Sequence, residues 1–347
     1  MNLELAWFAA LCDDDYRQLG VVDRDLRSSY RHCRAIVLEA ERQGFDNILL
    51  PSGYELGIDG VAFAAAVAPE LERLRLLVAV RCAELWPPQL ARQLATLDQI
   101  LDGRLTINII SSDLPGAPVD SAPRYARSTE VMQILRALLD GESIAHHGDF
   151  FDLELDPPRI CRERTEGCPP FYFGGISEPA RNTAAAEADV FLLWPDTLAG
   201  CREVIDDMRR RAEGHGRDLR FGFRTHLVVR DTEDEARSAA AHLISAVDEA
   251  AGKEIARRSL DSGSAGVRRQ AELRESAADD GFAEGCLWTG IGKARSGAGA
   301  ALVGTPEQVS ESIALYAELG IESFIFSGYP HLDECTRVGE TLLPLLR

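Results

Sequence analysis

The sequence predicts a (β/α)₈ barrel of the TIM type. Short apolar runs rich in β-branched and aromatic residues recur along the chain, and segments of helical period separate them. The runs are Leu3–Phe8, Asn47–Leu50, Leu76–Val80, Leu105–Ile110, Phe171–Phe173, Val190–Leu193, Phe221–Val229 and Ser323–Ser327. Eight parallel strands, each followed by a helix, close most economically as a barrel. An open, doubly wound sheet is the alternative.

The helical segments carry start and stop signals of their own. The first, Ser28–Gln43, ends before Gly44, and Pro88–Leu101 ends before Asp102 and Gly103. A third begins at Thr305, where proline suits the first helical position and Gln308 completes a capping box. Further helices are predicted over Asp206–Glu213, Glu233–Asp248 and Leu332–Leu346.

Three stretches do not fit the repeat and are predicted to be insertions over the barrel rim of a single domain spanning residues 1–347. They lie at about 113–125, 141–164 and 252–303. The third is long for a compact enzyme and ends in a Gly/Ser/Ala-rich run. Long irregular segments of this kind often cover a site, so we expect a mobile lid.

Composition excludes several classes of partner. The chain of 347 residues has 56 acidic and 37 basic residues and a net charge of −19, which disfavours binding to nucleic acid or an anionic membrane. Eight scattered cysteines show neither zinc-ligand spacing nor a disulfide pattern, so no metal is expected. The chain lacks a secretion signal and a long apolar run, and we expect a soluble cytoplasmic protein.

Candidate catalytic residues lie at the carboxyl ends of the predicted strands, where barrel enzymes carry their chemistry. Arg224 and His226 are two positions apart, so they share one face of an otherwise apolar strand. If that face is the barrel interior, a ligand or a carboxylate must offset the cost of burial; a structural ion pair is the equally weighted alternative. Trp194, Asn108 and Tyr329 also stand at or near strand ends. A mouth of aromatic and cationic side chains suits a planar or anionic ligand.

Two glycine-rich segments are candidates for anion binding. Gly174 and Gly175 follow the fifth strand, and Ser177 stands where a helix begins, so backbone amides and a hydroxyl would meet a phosphate there. An ordinary helix N-cap explains the same pattern. Arg295 opens the second segment, which is either an anion clamp or a flexible hinge.

Several of these segments resemble the bacterial luciferase-like flavin monooxygenases, and among them the two-component alkanesulfonate monooxygenases. The resemblance covers nearly the whole chain. It is carried by Leu97–Asn108, Tyr172–Ser177, Phe221–His226 and, most specifically, Ala317–Leu332.

The resemblance implies a TIM-type barrel that takes reduced FMN from a separate NAD(P)H-dependent flavin reductase. With O₂ it would oxygenate a small organic substrate, in that family a sulfonate, which breaks down to sulfite and an aldehyde. By this resemblance the catalytic residues are Arg224, His226, Arg295, Tyr329 and Trp194, and the flavin contacts are Asn108, Tyr125 and Ser177, beside Gly174 and Gly175. A homo-oligomer is implied as well.

The chain departs from the family's pattern at two places near the expected site. Cys12 stands where the family has a histidine, and the segment around Glu55 lacks the family's cysteine. The substrate therefore stays open, as does the choice between His226 and Tyr329 for proton transfer. Two alternatives keep the fold: an oxidoreductase that uses the deazaflavin F420, and a non-catalytic flavin-binding relative.

Overall fold

A closed eight-stranded parallel barrel forms the body of the protein. The computed structural model describes residues 3–53, 57–112, 119–161, 167–247, 264–294 and 297–347; Glu55 and Arg295 lie outside these ranges. The barrel strands are β1 (Glu4–Phe8), β2 (Asn47–Leu50), β3 (Arg75–Arg81), β4 (Leu105–Ile110), β7 (Phe171–Gly174), β8 (Val190–Leu193), β9 (Arg220–Val229) and β13 (Ile321–Ser327).

The strand order confirms the predicted barrel. From β1 to β4 and on to β7, β8 and β9, each barrel strand pairs in parallel with the next. The circle closes because β13 pairs in parallel with both β9 and β1. The open doubly wound sheet is therefore wrong. All eight predicted strands are barrel strands, displaced by at most two residues at either end.

Helices cover the outside of the barrel. Their bounds are α1 (Tyr30–Gln43), α2 (Gly60–Val67), α3 (Pro87–Ile100), α4 (Ser121–Leu139), α5 (Glu178–Glu187), α6 (Leu198–Gly214), α7 (Glu233–Leu243), α8 (Ala265–Ser276), α9 (Pro306–Glu318), α10 (His331–Thr341) and α11 (Leu343–Leu346). The capping box at Thr305 and Gln308 is confirmed at the start of α9. Helix α6 begins eight residues before the predicted Asp206, because the Thr197 side chain caps it by accepting from the Gly200 amide.

The rim segments differ from the sequence expectations at their edges. The predicted insertion at 113–125 extends too far along the chain, because α4 begins at Ser121. In the second range, β5 (Ile144–His147) and β6 (Asp152–Leu155) form an antiparallel hairpin. The third contains α8, β10 (Phe282–Glu284) and β11 (Leu287–Trp288), and its last residues belong to β12 (Ala301–Gly304), which pairs in parallel with the carboxyl half of β9.

The barrel interior changes character from one end to the other. At the amino-terminal end the Glu4 carboxylate accepts from the Tyr172 and Ser323 hydroxyls. A middle layer is apolar and consists of Ala6, Phe8, Leu49, Leu77, Tyr172, Val190, Leu192 and Ile325. The same inner face carries a buried polar contact, in which the Asn47 amide donates to the Thr106 hydroxyl at 3.1 Å. The buried Arg224 lies further along, towards the carboxyl-terminal mouth, where parallel barrels carry their sites.

Three further properties bear on the function. All eight cysteines carry free thiols. Within the described ranges, no helix has the length and apolarity to cross a membrane. The same residues contain no group of three or more His, Cys, Asp or Glu side chains arranged to hold a metal ion.

Candidate active site

Arg224 and His226 lie on the interior face of β9. Their neighbours Phe223 and Leu227 pack into the layer between barrel and helices, so alternation turns Arg224 and His226 inward. The two side chains are 6% and 1% exposed. The interior placement that the sequence suggested is therefore present, and burial of a guanidinium calls for strong polar contacts.

Ser327, at the end of β13, joins the two residues. Arg224 Nη2 donates to the Ser327 hydroxyl at 2.9 Å, and that oxygen lies 2.7 Å from His226 Nδ1. Arg224 Nη1 also donates to the Thr225 carbonyl at 2.7 Å. Ser327 is fully buried, so the hydroxyl fixes the relative position of the guanidinium and the imidazole.

Aromatic rings close the cluster on two sides. The Arg224 guanidinium carbon lies 4.3 Å from the centre of the Phe8 ring, a cation–π contact from β1. The Tyr329 ring stacks on His226 with centres 5.3 Å apart. Three of the predicted catalytic residues, Arg224, His226 and Tyr329, are thus brought together at the carboxyl-terminal mouth.

A second group of predicted residues surrounds the start of α5. Ser177 caps this helix and accepts from the Ala180 amide. Gly175 has a φ of +139°, and a Cβ there would lie 2.8 Å from the Ala180 Cβ and 3.2 Å from the Tyr125 hydroxyl. Only glycine fits this backbone, which leaves the Tyr125 and Ser177 hydroxyls next to a helix N-terminus, the positive end of its dipole.

Gly174 and Asn108 lie on adjacent strands beside this group. Gly174 ends β7, and a Cβ there would come within 3.1 Å of the Leu192 carbonyl oxygen. Asn108 sits on β4 between Ala79 of β3 and Tyr172 of β7, and it is partly buried. Its inward amide is a hydrogen-bonding group close to the glycine-lined segment.

A buried arginine that the sequence reasoning missed stands at the end of β3. Arg81 is 5% exposed, and it donates from Nη2 to the Ser52 carbonyl at 2.7 Å and from Nη1 to the Ser112 hydroxyl. The nearby Ser111 hydroxyl is buried with no hydrogen-bond partner in the part of the chain that the structure describes. Sequence reasoning could have found this residue, because Arg81 directly follows the predicted strand Leu76–Val80 and so stands at a carboxyl end of the barrel.

Trp194 lies directly after β8, against α8 of the third rim segment. A Cβ on Gly266 of α8 would lie 2.8 Å from its ring. Helix α8 is held to the end of β8 by Arg269, which donates to both Asp196 carboxylate oxygens at 2.6 and 3.0 Å.

The lid segment continues to the predicted Arg295, which is outside the described residues. On either side of it, the Gly292 amide donates to the Gly299 carbonyl at 2.7 Å, and a Cβ on Gly297 would lie 4.0 Å from the Trp194 ring. Gly297, the first described residue after Arg295, therefore lies beside Trp194.

The two departures from the family pattern fall on the β1 and β2 loops. Cys12 is partly buried, and a Cβ on Gly53 would lie 2.8 Å from its sulfur. The thiol thus packs tightly on the loop after β2. Glu55, in the same loop, lies outside the described residues.

Two further contributors, Ser327 and Phe8, came from positions that sequence reasoning did not assign to the site. Ser327 and Phe8 each end a predicted strand, so their position alone could have marked them. His331 is fully buried and its ring lies edge-on to Tyr329 with centres 5.1 Å apart. It is paired with Asp15, which is 316 positions away in the chain and carries no local signal.

A closed parallel barrel carries a buried arginine, histidine and tyrosine at its carboxyl-terminal mouth, where barrel enzymes hold their active sites. The family described as luciferase-like monooxygenase matches residues 4–323. The chain belongs to this family, as the resemblance implied.

Named relatives and solved structures agree with this assignment. A sulfoquinovose monooxygenase of Novosphingobium aromaticivorans is 57% identical over 350 residues, covering 99% of this chain and 96% of the relative. A sulfoquinovose monooxygenase of Agrobacterium fabrum is 48% identical over 347 residues, covering 99% of this chain and 90% of the relative. The crystal structure of a riboflavin lyase with modified FMN and riboflavin aligns with a TM-score of 0.82 at 18% identity. The alignment covers 100% of this chain and 92% of the lyase chain. The two proteins therefore share a fold.

Proposed function

We propose that this protein is a two-component monooxygenase that uses reduced FMN and O₂ to oxygenate a sulfonate, releasing sulfite and an aldehyde. The observation that carries the proposal is the buried cluster of Arg224, His226 and Tyr329, joined through Ser327. A fixed guanidinium beside two groups able to exchange protons is what an anionic substrate and an oxygen-transfer reaction require.

The residues around α5 fit the phosphate end of FMN. Two hydroxyls, from Tyr125 and Ser177, lie beside a helix N-terminus, and Gly175 leaves open the space that a Cβ would fill. Asn108 would contact the ring system from β4. When bound in its reduced form, FMN supplies two electrons and the means to activate O₂.

The reaction balances with one O₂ and one reduced flavin. One oxygen atom ends in the aldehyde and the other in water; the carbon–sulfur bond breaks and sulfite leaves with its electron pair. Two electrons come from the flavin and two from the carbon that becomes the aldehyde.

Each residue of the cluster has a part that its geometry supports. Arg224, with two N–H groups already fixed by Thr225 and Ser327, would hold the sulfonate or the developing negative charge. His226, oriented through Nδ1, and the Tyr329 phenol are the groups that would exchange protons with the substrate. Arg295, on the predicted lid, and Trp194, at the end of β8, would complete the site, and closure of the lid would exclude water.

We propose a sugar sulfonate of the sulfoquinovose type as the substrate. The two sulfoquinovose monooxygenases match almost the whole chain at 57% and 48% identity, which favours this class over simple alkanesulfonates. We also propose a separate NAD(P)H-dependent flavin reductase as electron source, as the resemblance to the two-component monooxygenases implies. A homo-oligomer remains part of the proposal.

Two measurements test this function. The first is anaerobic titration with reduced FMN and with reduced F420; we expect tight binding of FMN, and preference for F420 would contradict the proposal. The second is sulfite release from sulfoquinovose and from linear alkanesulfonates, with reduced FMN supplied by an unrelated flavin reductase. Flavin binding without O₂-dependent sulfite from any sulfonate would favour the non-catalytic alternative.

A further inference from the structure

A buried carboxylate lies between two histidines directly behind the site. Asp15, in the loop after β1, has a fully buried side chain. Its Oδ1 accepts from the backbone N–H of His331 and lies 2.9 Å from His331 Nδ1. Its Oδ2 lies 2.8 Å from His32 Nε2, on the first turn of α1.

The inner histidine touches the rings that line the active site. The fully buried His331 ring is perpendicular to Tyr329, and its centre lies 5.7 Å from that of Phe8. Tyr329 in turn stacks on His226, and Phe8 supports Arg224. The orientation of the His331 ring therefore affects both walls of the Arg224 cluster.

The carboxylate acts as a fixed charge. Burial by itself would raise the pKa of Asp15, but the charge of His331 and hydrogen bonds from both imidazoles lower the pKa well below its usual value of 3.8. At neutral pH Asp15 is thus ionised and can only accept hydrogen bonds. Nδ1 of His331 must then carry a proton, which leaves Nε2 as the second functional atom of the ring.

Nε2 of His331 is buried and has no hydrogen-bond partner among the described residues. A buried polar atom without a partner is costly, and such atoms are frequent where a ligand supplies the missing contact.

We infer that Asp15 is a positioning residue that fixes the tautomer and the ring orientation of His331. Through the His331 ring it also fixes the placement of Tyr329. His32 holds the outer oxygen of the same carboxylate. Asp15 does not pass protons, because a carboxylate that stays ionised has none to give. The His32 side chain is 12% exposed, so it shields the carboxylate from solvent at the end of α1. The catalytic consequences of this inference rest on the proposed function, whereas the tautomer does not.

The direct test is the protonation pattern of His331 in the wild-type protein, read from long-range ¹H–¹⁵N correlations of the imidazole and assigned by loss of the signals in His331→Gln. We expect a proton on Nδ1 across neutral pH. A neutral ring with its proton on Nε2 alone would overturn the inference, whatever the protein's activity.

The kinetic test compares Asp15→Asn with a matched control. Asp15→Asn keeps the shape and removes the charge, so we expect kcat for sulfite release to fall about 10- to 100-fold, with the affinity for reduced FMN unchanged. Asp15→Glu should recover part of the loss because it restores the charge. Asp13→Asn makes the same chemical change at a side chain that is 43% exposed, and should keep full activity.

Two outcomes separate this inference from the proposed function. If the wild-type protein releases no sulfite, the function fails, and the tautomer measurement alone decides the role of Asp15. If the wild type is active and folded Asp15→Asn retains its kcat, the positioning role is refuted. Thermal unfolding and α-helical circular dichroism of each variant show whether it is folded. His32→Gln removes the outer imidazole but keeps the Asp15–His331 contact, so it should lower kcat less than Asp15→Asn does.

Discussion

Replacing Ser327 with alanine tests the geometry of the active site most sharply. The Ser327 hydroxyl is fully buried and bonds both the Arg224 guanidinium and the His226 imidazole, at 2.9 and 2.7 Å. Ser327→Ala removes both contacts without adding volume, so the two catalytic side chains lose their common anchor.

The magnitude follows from the kinds of hydrogen bond removed. A bond to a charged group contributes about 1.5–3 kcal/mol and one to a neutral group about 1 kcal/mol. We therefore expect Ser327→Ala to lower the free energy of unfolding by roughly 2–4 kcal/mol. If half of this loss, about 1–2 kcal/mol, persists in the transition state, kcat/KM falls about 5- to 30-fold, since about 1.4 kcal/mol corresponds to a factor of ten.

Ser323→Ala is the matched control, on the same face of β13. The Ser323 hydroxyl is also buried and donates to a charged group, the Glu4 carboxylate, at 2.9 Å. It lies at the amino-terminal end of the barrel, so the substitution should lower stability without changing kcat/KM.

The assay is urea unfolding of both variants together with sulfite release under saturating reduced FMN. A Ser327→Ala protein with kcat/KM within about twofold of wild type would refute the anchoring role. Equal kinetic losses in Ser323→Ala and Ser327→Ala would attribute the effect to general destabilisation instead.

Three further substitutions examine other parts of the site. Arg224→Lys keeps the charge but loses the planar fork; kcat/KM for the sulfonate should fall at least 100-fold with little change in the Kd of reduced FMN, and an unchanged kcat/KM would contradict the assigned role. Gly175→Ala would force a Cβ to 2.8 Å from a neighbouring Cβ, so the Kd of FMN should rise at least tenfold. The control Gly214→Ala, at a glycine with open space around it, should leave the Kd of FMN unchanged. Asp196→Asn breaks a two-point ion pair that holds α8; limited proteolysis within 264–294 should accelerate and kcat should drop, and a cleavage rate equal to wild type would argue against the clamp.

The barrel was predictable because its signals are local. Each strand is a short apolar run bounded by turn residues, and β2, β4 and β8 match their predicted bounds at both ends. Helix boundaries were predicted less well. The predicted start of α6 at Asp206 is eight residues late, because the true start is fixed by a single cap, Thr197.

The site was predictable only in part, for the same reason. Alternation along β9 placed Arg224 and His226 on one face, and the position of Tyr329 just after the eighth strand placed it at the mouth. The contacts that orient these groups are between residues far apart in the chain, such as Ser327 with Arg224 across 103 positions. No local pattern encodes such a pair, and only the register between β9 and β13 brings it together.

The central claim is that electrons from free reduced FMN and O₂ together release sulfite from a sugar sulfonate. The most direct measurement is a single turnover without any reductase: the protein and one equivalent of reduced FMN are mixed anaerobically with sulfoquinovose, then with aerated buffer, and sulfite is quantified. We predict up to one sulfite per flavin in air, and none without O₂ or with oxidised FMN. Sulfite formed equally without O₂, or no sulfite while reduced FMN is bound and reoxidised, would contradict the claim.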